Sequence, residues 1–195
     1  MFIIGITGGT GAGKTSALRA IKSLGALTLD CDEIYHELLL NNAELKSELS
    51  TRFPGVLCDG SINRKKLSEV VFIDRAALID LNAITHKYVN QEVELRISDW
   101  EEKGGKIAAI DAIALIESGI SEKCDITIGV TAPTETRISR IMARDGISYA
   151  QAEMRVNAQK PASYYIDNCD AVIENTYDTP EEFELKCGDY FKSVL

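Results

Sequence analysis

The 195-residue sequence has no C-x-x-C pair, only two histidines and only four prolines. It also lacks any apolar run near the roughly 18 residues that a membrane-spanning helix requires. Five cysteines stand at 31, 58, 124, 169 and 187, an odd number and widely spaced. That spacing argues against a disulfide framework, and with His36 and His86 as the only histidines it argues against a zinc cluster. Positive charge is in deficit: 21 Lys and Arg against 30 Asp and Glu give a net charge of −9. Wrapping duplex nucleic acid or docking on an anionic membrane is therefore disfavoured as the main activity, although a local basic pocket for phosphates is compatible. The opening Met1-Phe2-Ile3-Ile4-Gly5 has no basic region before its short apolar run. The expectation is a cytoplasmic protein with reduced thiols and no secretory leader. No internal repeat or low-complexity segment occurs.

Hydrophobic content of 45% and charged content of 26% are those of an ordinary globular domain. A chain of this length buries about 70% of its unfolded surface, enough for a core without metal or disulfide staples. Apolar β-formers at 2–6 lead into a glycine-rich loop at 8–13, and a helical pattern follows until Gly25. A second short strand is predicted over 26–29, ending at Asp30. Helices are predicted over 64–72 and 75–102, closed by Gly104-Gly105, and continuous apolar runs at 106–110 and 126–130 read as buried strands. After Pro133 two further helices are predicted, to about 144 and over 148–159, with Gly146 between them. A last strand covers 171–173, and Pro180 opens a C-terminal helix. Strands alternating with helices define an α/β fold with a parallel sheet covered on both faces. The organisation expected is one domain, with a polar, helical substrate-binding region over about 41–105 and a lid over about 137–160.

Gly8-Gly9-Thr10-Gly11-Ala12-Gly13-Lys14-Thr15 fits the phosphate-loop pattern G-x-x-x-x-G-K-[ST], placed as it must be between a strand and a helix. Glycines let backbone N–H groups turn toward phosphate oxygens, and the helix N-terminus adds positive potential. Lys14 is suited to reach β and γ phosphates, and the Thr15 hydroxyl to hold Mg²⁺. The guanine signature Asn-Lys-x-Asp is missing, which counts against a GTPase. A kinase for a small acceptor needs a general base near the loop and arginines in a lid. Asp32, in Asp30-Cys31-Asp32 past the second strand, fits the base, or alternatively caps the helix starting at Glu33. Arg137, Arg140 and Arg144 share one helix face at spacings of three and four, with Arg155 on the next helix. They suit charge on a transferring phosphoryl group, or else form a solvated basic face. Asp111 ends the third strand, as a Mg²⁺ ligand through water or as a turn residue, and His86 is a site residue or an ordinary helix histidine.

The sequence resembles the dephospho-coenzyme A kinase family over nearly its whole length. The phosphate loop with Gly5-Ile6-Thr7 before it, Leu29 to Ile34, Leu81-Asn82-Ala83-Ile84-Thr85-His86, Arg140 to Gly146, Arg155 through Gln159 and Val172-Ile173-Glu174-Asn175 match its motifs. The resemblance implies a phosphate-loop kinase fold of five parallel strands, with a helical substrate-binding region and a lid. It implies transfer of phosphate from ATP to the ribose 3′-hydroxyl of dephospho-coenzyme A, the last step of coenzyme A synthesis. Lys14, Asp32 and Arg140 then carry catalysis. Gly9, Thr10, Gly11, Ala12, Gly13, Lys14, Thr15, Ser16, Arg144 and Asn175 bind nucleotide. Asp32, His86 and Arg140 bind acceptor, and Thr15 and Asp111 hold Mg²⁺. The alternatives are a kinase for another small acceptor, such as a nucleotide, and a nucleotide-binding switch without turnover. Two departures from the family stand out: Lys87 follows His86 where proline is usual, and Ile113-Ala114-Leu115-Ile116-Glu117 replaces the usual Pro-Leu-Leu-Phe-Glu.

Overall fold

The structure, a computed structural model, describes residues 1–195. In chain order the elements are β1 (Phe2–Gly8), α1 (Lys14–Ser23), β2 (Leu27–Asp30), α2 (Cys31–Asn41), α3 (Ala43–Arg52), β3 (Leu57–Cys58), β4 (Ser61–Ile62) and α4 (Arg64–Ile73). There follow α5 (Arg75–Glu102), β5 (Ile107–Asp111), a 3-10 turn (Ile120–Lys123), β6 (Ile126–Thr131), α6 (Thr134–Asp145), α7 (Tyr149–Asn157), α8 (Ala162–Asn168), β7 (Ala171–Glu174) and α9 (Pro180–Val194). The chain divides into two compact units, one of residues 1–29 with 100–195, the other of 30–99. The second unit therefore begins at Asp30 and takes in α2, eleven residues before the polar stretch begins in the sequence. No helix is long and apolar enough to cross a membrane.

In the first unit a five-stranded sheet has the order β2-β5-β1-β6-β7. β1 pairs in parallel with both β5 and β6, and β6 with β7. Central strands of a parallel sheet lie under helices on both faces, so their sequences read as continuous apolar runs. Ile4, Ile6, Ala108, Ala109, Ile110, Ile128 and Val130 are accordingly all fully buried. One face of the sheet packs with α1 and α9, where Ala17, Ile21, Phe183, Cys187 and Phe191 join the strand residues in one core. Asp170 ties β6 to the start of β7, its Oδ2 accepting from both the N–H and the hydroxyl of Thr127 at 2.7 Å. α6 and α7 have a small core of their own, Ile138, Ile141, Ala152 and Val156.

In the second unit each helix start has an acceptor side chain for its unpaired backbone donors. Asp30 caps α2, Asn42 caps α3 and Asn63 caps α4, while Asp74 accepts from Ala76 and Ala77 at the start of α5. β3 and β4 form a minimal hairpin whose turn, Asp59-Gly60, has both residues at positive φ. Glu48 accepts from Lys87 Nζ and from the Tyr88 hydroxyl, each at 2.8 Å.

Candidate active site

The phosphate loop joins β1 to α1 at the C-terminal edge of the sheet, where ligands of open α/β folds bind. α1 starts at Lys14 behind Gly13, which is at φ 113° and supplies no side-chain cap. A Cβ on Gly13 would also lie 2.3 Å from Asn175 Nδ2, so glycine answers both the backbone angle and the space. Lys14 Nζ lies 3.9 Å from Asp111 Oδ1, both side chains 13% exposed. This ionic contact is longer than a hydrogen bond, at the end of β5 next to the loop. Thr15 is exposed in the first turn of α1.

Two arginines of α6 reach the loop. Arg137 is buried and donates through Nε to Thr10 O at 3.0 Å and through Nη2 to Gln159 Oε1. Arg140 donates to Gly11 O (3.3 Å), Asn175 Oδ1 (3.3 Å) and Tyr177 O (2.9 Å). Burial pulls both guanidinium groups below the ordinary arginine value. The partners of both are neutral carbonyl oxygens, not carboxylates. In a chain of net charge −9, two partly desolvated cations beside a phosphate loop without a carboxylate partner are an arrangement suited to an anion.

Several expected residues are placed differently. Arg144, expected at the nucleotide, turns to Asp145, which accepts from its Nε at 2.7 Å and from Arg155 Nη1 at 2.6 Å. The face shared by Arg137, Arg140 and Arg144 therefore divides: one helix turn further from the loop, the nearest anion is Asp145. The hydrogen bond from Arg144 and the charge of Arg155 hold the Asp145 carboxyl below the usual range. Asn175, also expected at the nucleotide, is 3% exposed and spends its side chain on the protein. Its Nδ2 donates to Ala12 O at 2.9 Å, and its Oδ1 accepts from Arg140 and from the N–H of Tyr177. It braces the loop from behind. Ala12 is buried with its N–H bonded to Gly9 O, and Ser16 is buried with its N–H bonded to Gly13 O. These N–H groups serve the loop's own turn.

The second unit holds the other candidates. Asp30, not Asp32, is the N-cap of α2: its Oδ1 accepts from the N–H groups of Asp32 (2.9 Å) and Glu33 (3.1 Å). α2 also starts two residues earlier than the capping alternative required. Asp32 is left exposed in the first turn, with its carboxylate not committed to the cap. His86 is half-buried on α5. Lys87 is engaged with Glu48 and lies over the Tyr88 ring, its Nζ 4.7 Å from the centroid. The sequence gives no separate role to Gln159, whose side chain meets the loop from 149 positions away. No short-range pattern signals that contact.

A parallel sheet with a phosphate loop, a lysine–aspartate contact beside it and two arginines of α6 on the loop defines a phosphate-loop kinase. A family model for dephospho-CoA kinase matches residues 2–181. The dephospho-CoA kinase of Geobacter sulfurreducens is 37% identical over 188 residues, 95% of each chain. That of Moorella thermoacetica is 38% identical over 162 residues, 82% of this chain and 76% of the other. The chain belongs to the dephospho-CoA kinase family. Among solved structures, a Thermus thermophilus protein matches with a TM-score of 0.81 at 30% identity, over 99% of this chain and 95% of that one. The dephospho-CoA kinase of Campylobacter jejuni matches with a TM-score of 0.68 at 25% identity, over 98% and 96%. A shikimate kinase from Acinetobacter baumannii, 14% identical with a TM-score of 0.57 over 100% and 94%, shares the fold.

Proposed function

We propose that this protein transfers the γ-phosphoryl group of ATP to the ribose 3′-hydroxyl of dephospho-CoA, giving CoA and ADP. The observation that carries the reading is the pair of desolvated arginines, Arg137 and Arg140, beside the phosphate loop without a carboxylate partner. Family membership supplies the acceptor, and it weighs against another acceptor and against a switch without turnover.

The roles follow from the residues. Backbone N–H groups at the uncapped start of α1 take phosphate oxygens, and Lys14 neutralises charge on the β and γ phosphates. Arg140 stabilises charge on the transferring group. Asp32 orients the acceptor hydroxyl and takes its proton as the bond from the 3′-oxygen to the γ-phosphorus forms and the bond to the β–γ bridging oxygen breaks. Thr15 and Asp111, a hydroxyl and a carboxylate, are the hard oxygen donors that Mg²⁺ takes. The structure has no group of three or more metal-ligating acids, histidines or cysteines, which suits an ion that keeps waters and phosphate oxygens as its other ligands. When bound, Mg²⁺ supplies charge neutralisation on the phosphates. The unit of residues 30–99 carries the acceptor side through Asp32 and His86, α6–α7 is the lid, and the cytoplasm is the compartment. The test is ADP release with ATP and Mg²⁺: it should require dephospho-CoA, and release that ignores the acceptor would refute the reading.

A further inference from the structure

Thr10 occupies an unspecified position of the loop pattern, yet all three of its polar groups are taken by two residues at the base of the α6–α7 pair. Its N–H donates to Gln159 Oε1 at 2.9 Å, its hydroxyl accepts from Gln159 Nε2 at 2.7 Å, and its carbonyl accepts from Arg137 Nε at 3.0 Å. Arg137 Nη2 closes the ring by donating to the same Gln159 oxygen. Arg137 lies in the first turns of α6 and Gln159 two residues beyond the end of α7, so both ends of the helix pair converge on one loop residue. Gly9 leaves room for this: a Cβ there would lie 2.2 Å from Arg137 Nη2 and 2.9 Å from Gln159 Oε1. The core of Ile138, Ile141, Ala152 and Val156 binds α6 to α7, so a constraint at their base acts on both helices.

We propose that Gln159 and Thr10 are positioning residues for phosphoryl transfer: with Arg137 they form a clamp through which the base of the helix pair fixes the geometry of the phosphate loop. Phosphate-binding N–H groups stabilise a transition state only if they are held in place beforehand. The clamp also makes a hydroxyl matter at position 10, where loop geometry alone has no use for one. Serine keeps that hydroxyl, whereas valine keeps the shape and loses it. Methionine at 159 keeps the length of glutamine and loses both donor and acceptor.

The test has two arms. Exchange of the Thr10 backbone amide in nucleotide-free protein, followed by NMR, needs no activity. It should be at least roughly tenfold faster in Gln159→Met than in wild type, the factor expected for the loss of one hydrogen bond. The kinetic arm rests on the kinase reading, which wild-type turnover of dephospho-CoA checks in the same experiment. There Thr10→Val and Gln159→Met should each lower kcat roughly tenfold with the acceptor KM unmoved, and Thr10→Ser, which keeps the hydroxyl, should lose less than Thr10→Val. The double variant Thr10→Val/Gln159→Met should fall no further than Gln159→Met, because the one hydrogen bond that Thr10→Val breaks is among those already lost in Gln159→Met. Equal kcat in Thr10→Ser and Thr10→Val, additive losses in the double variant, or an unchanged Thr10 exchange rate would each overturn the clamp. If wild type does not turn over, the kinase reading fails and the exchange arm still decides the clamp.

Discussion

Asp30 and Asp32, two residues apart, do different work. Asp30 closes the N-terminus of α2, accepting from two backbone donors. Asn is as good a cap as Asp, so Asp30→Asn should leave stability nearly unchanged, while Asp30→Ala should cost about 1 kcal/mol in denaturant melts. Asp32 is outside the cap, so Asp32→Asn should keep the fold and ATP binding and lower kcat by about 10² to 10⁴. If Asp30→Asn abolished turnover and Asp32→Asn did not, the base would be Asp30. Lys14 faces Asp111 at the end of β5, and Lys14→Ala removes the charge that the β and γ phosphates need. Its kcat should fall by at least about 10² to 10³, with an unchanged far-UV circular dichroism spectrum. Near-normal turnover in folded Lys14→Ala would remove the phosphate loop from the mechanism.

Among the elements, α6 and α7 carry the largest expected response to ligands. Their base is already tied to the loop through Arg137 and Gln159, while Arg144 and Arg155 further out are paired with Asp145. Gly146, at φ 64°, ends α6, and the shared core of the two helices makes it a helix stop in a rigid pair rather than a hinge within it. When ATP and dephospho-CoA bind together, hydrogen exchange should slow most over 142–155 and least at Arg137 and Gln159. Slowing confined to the base, or none at all, would contradict a closing lid. On α5, Lys87 pairs with Glu48 in the interior of a 28-residue helix. Proline at this position would break the helix, so the informative change is Lys87→Ala. An acceptor KM that does not change in Lys87→Ala would make the departure from the family's proline a matter of this ion pair alone.

The sequence made the long elements legible because caps and periodicity agreed: Asn63 and Asp74 start α4 and α5 where the pattern predicts, and Gly104-Gly105 follows the end of α5. α3, with Leu45 and Leu49 as its buried residues, the two-residue strands β3 and β4, and the seven-residue α8 offer too little pattern to read. The same division holds at the site. Lys14 and Thr15 are fixed by a contiguous motif, whereas the work of Asn175 and Gln159 depends on partners 163 and 149 positions away.

For the whole molecule, titration sets the limits of stability. Burial pushes the thiols of Cys124 and Cys187 up to about 12 and that of Cys169 to about 11, from 9.0. In the native state these groups keep protons that the unfolded chain loses, so stability is fully present below pH 9 and is lost as pH rises through 11 to 12. The Thr127 hydrogen bonds hold the Asp170 carboxyl below 3.8, so its contribution is present above that pH and is lost as pH falls through the depressed value. Thermal melts should therefore show a plateau from about pH 5 to about pH 8, with losses on both sides. A midpoint that rises between pH 9 and 11 would mean the thiols are not buried as described.

The phosphoryl transfer is tested most directly by the phosphorus NMR spectrum and mass of the product made from dephospho-CoA, ATP and Mg²⁺. The product should gain one phosphate, appearing as a new monoester on the ribose 3′-oxygen, and the Asp32→Asn protein should form it at least about a hundredfold more slowly. A phosphate on another atom, or phosphorylation of a nucleotide while dephospho-CoA is left unchanged, would contradict that transfer.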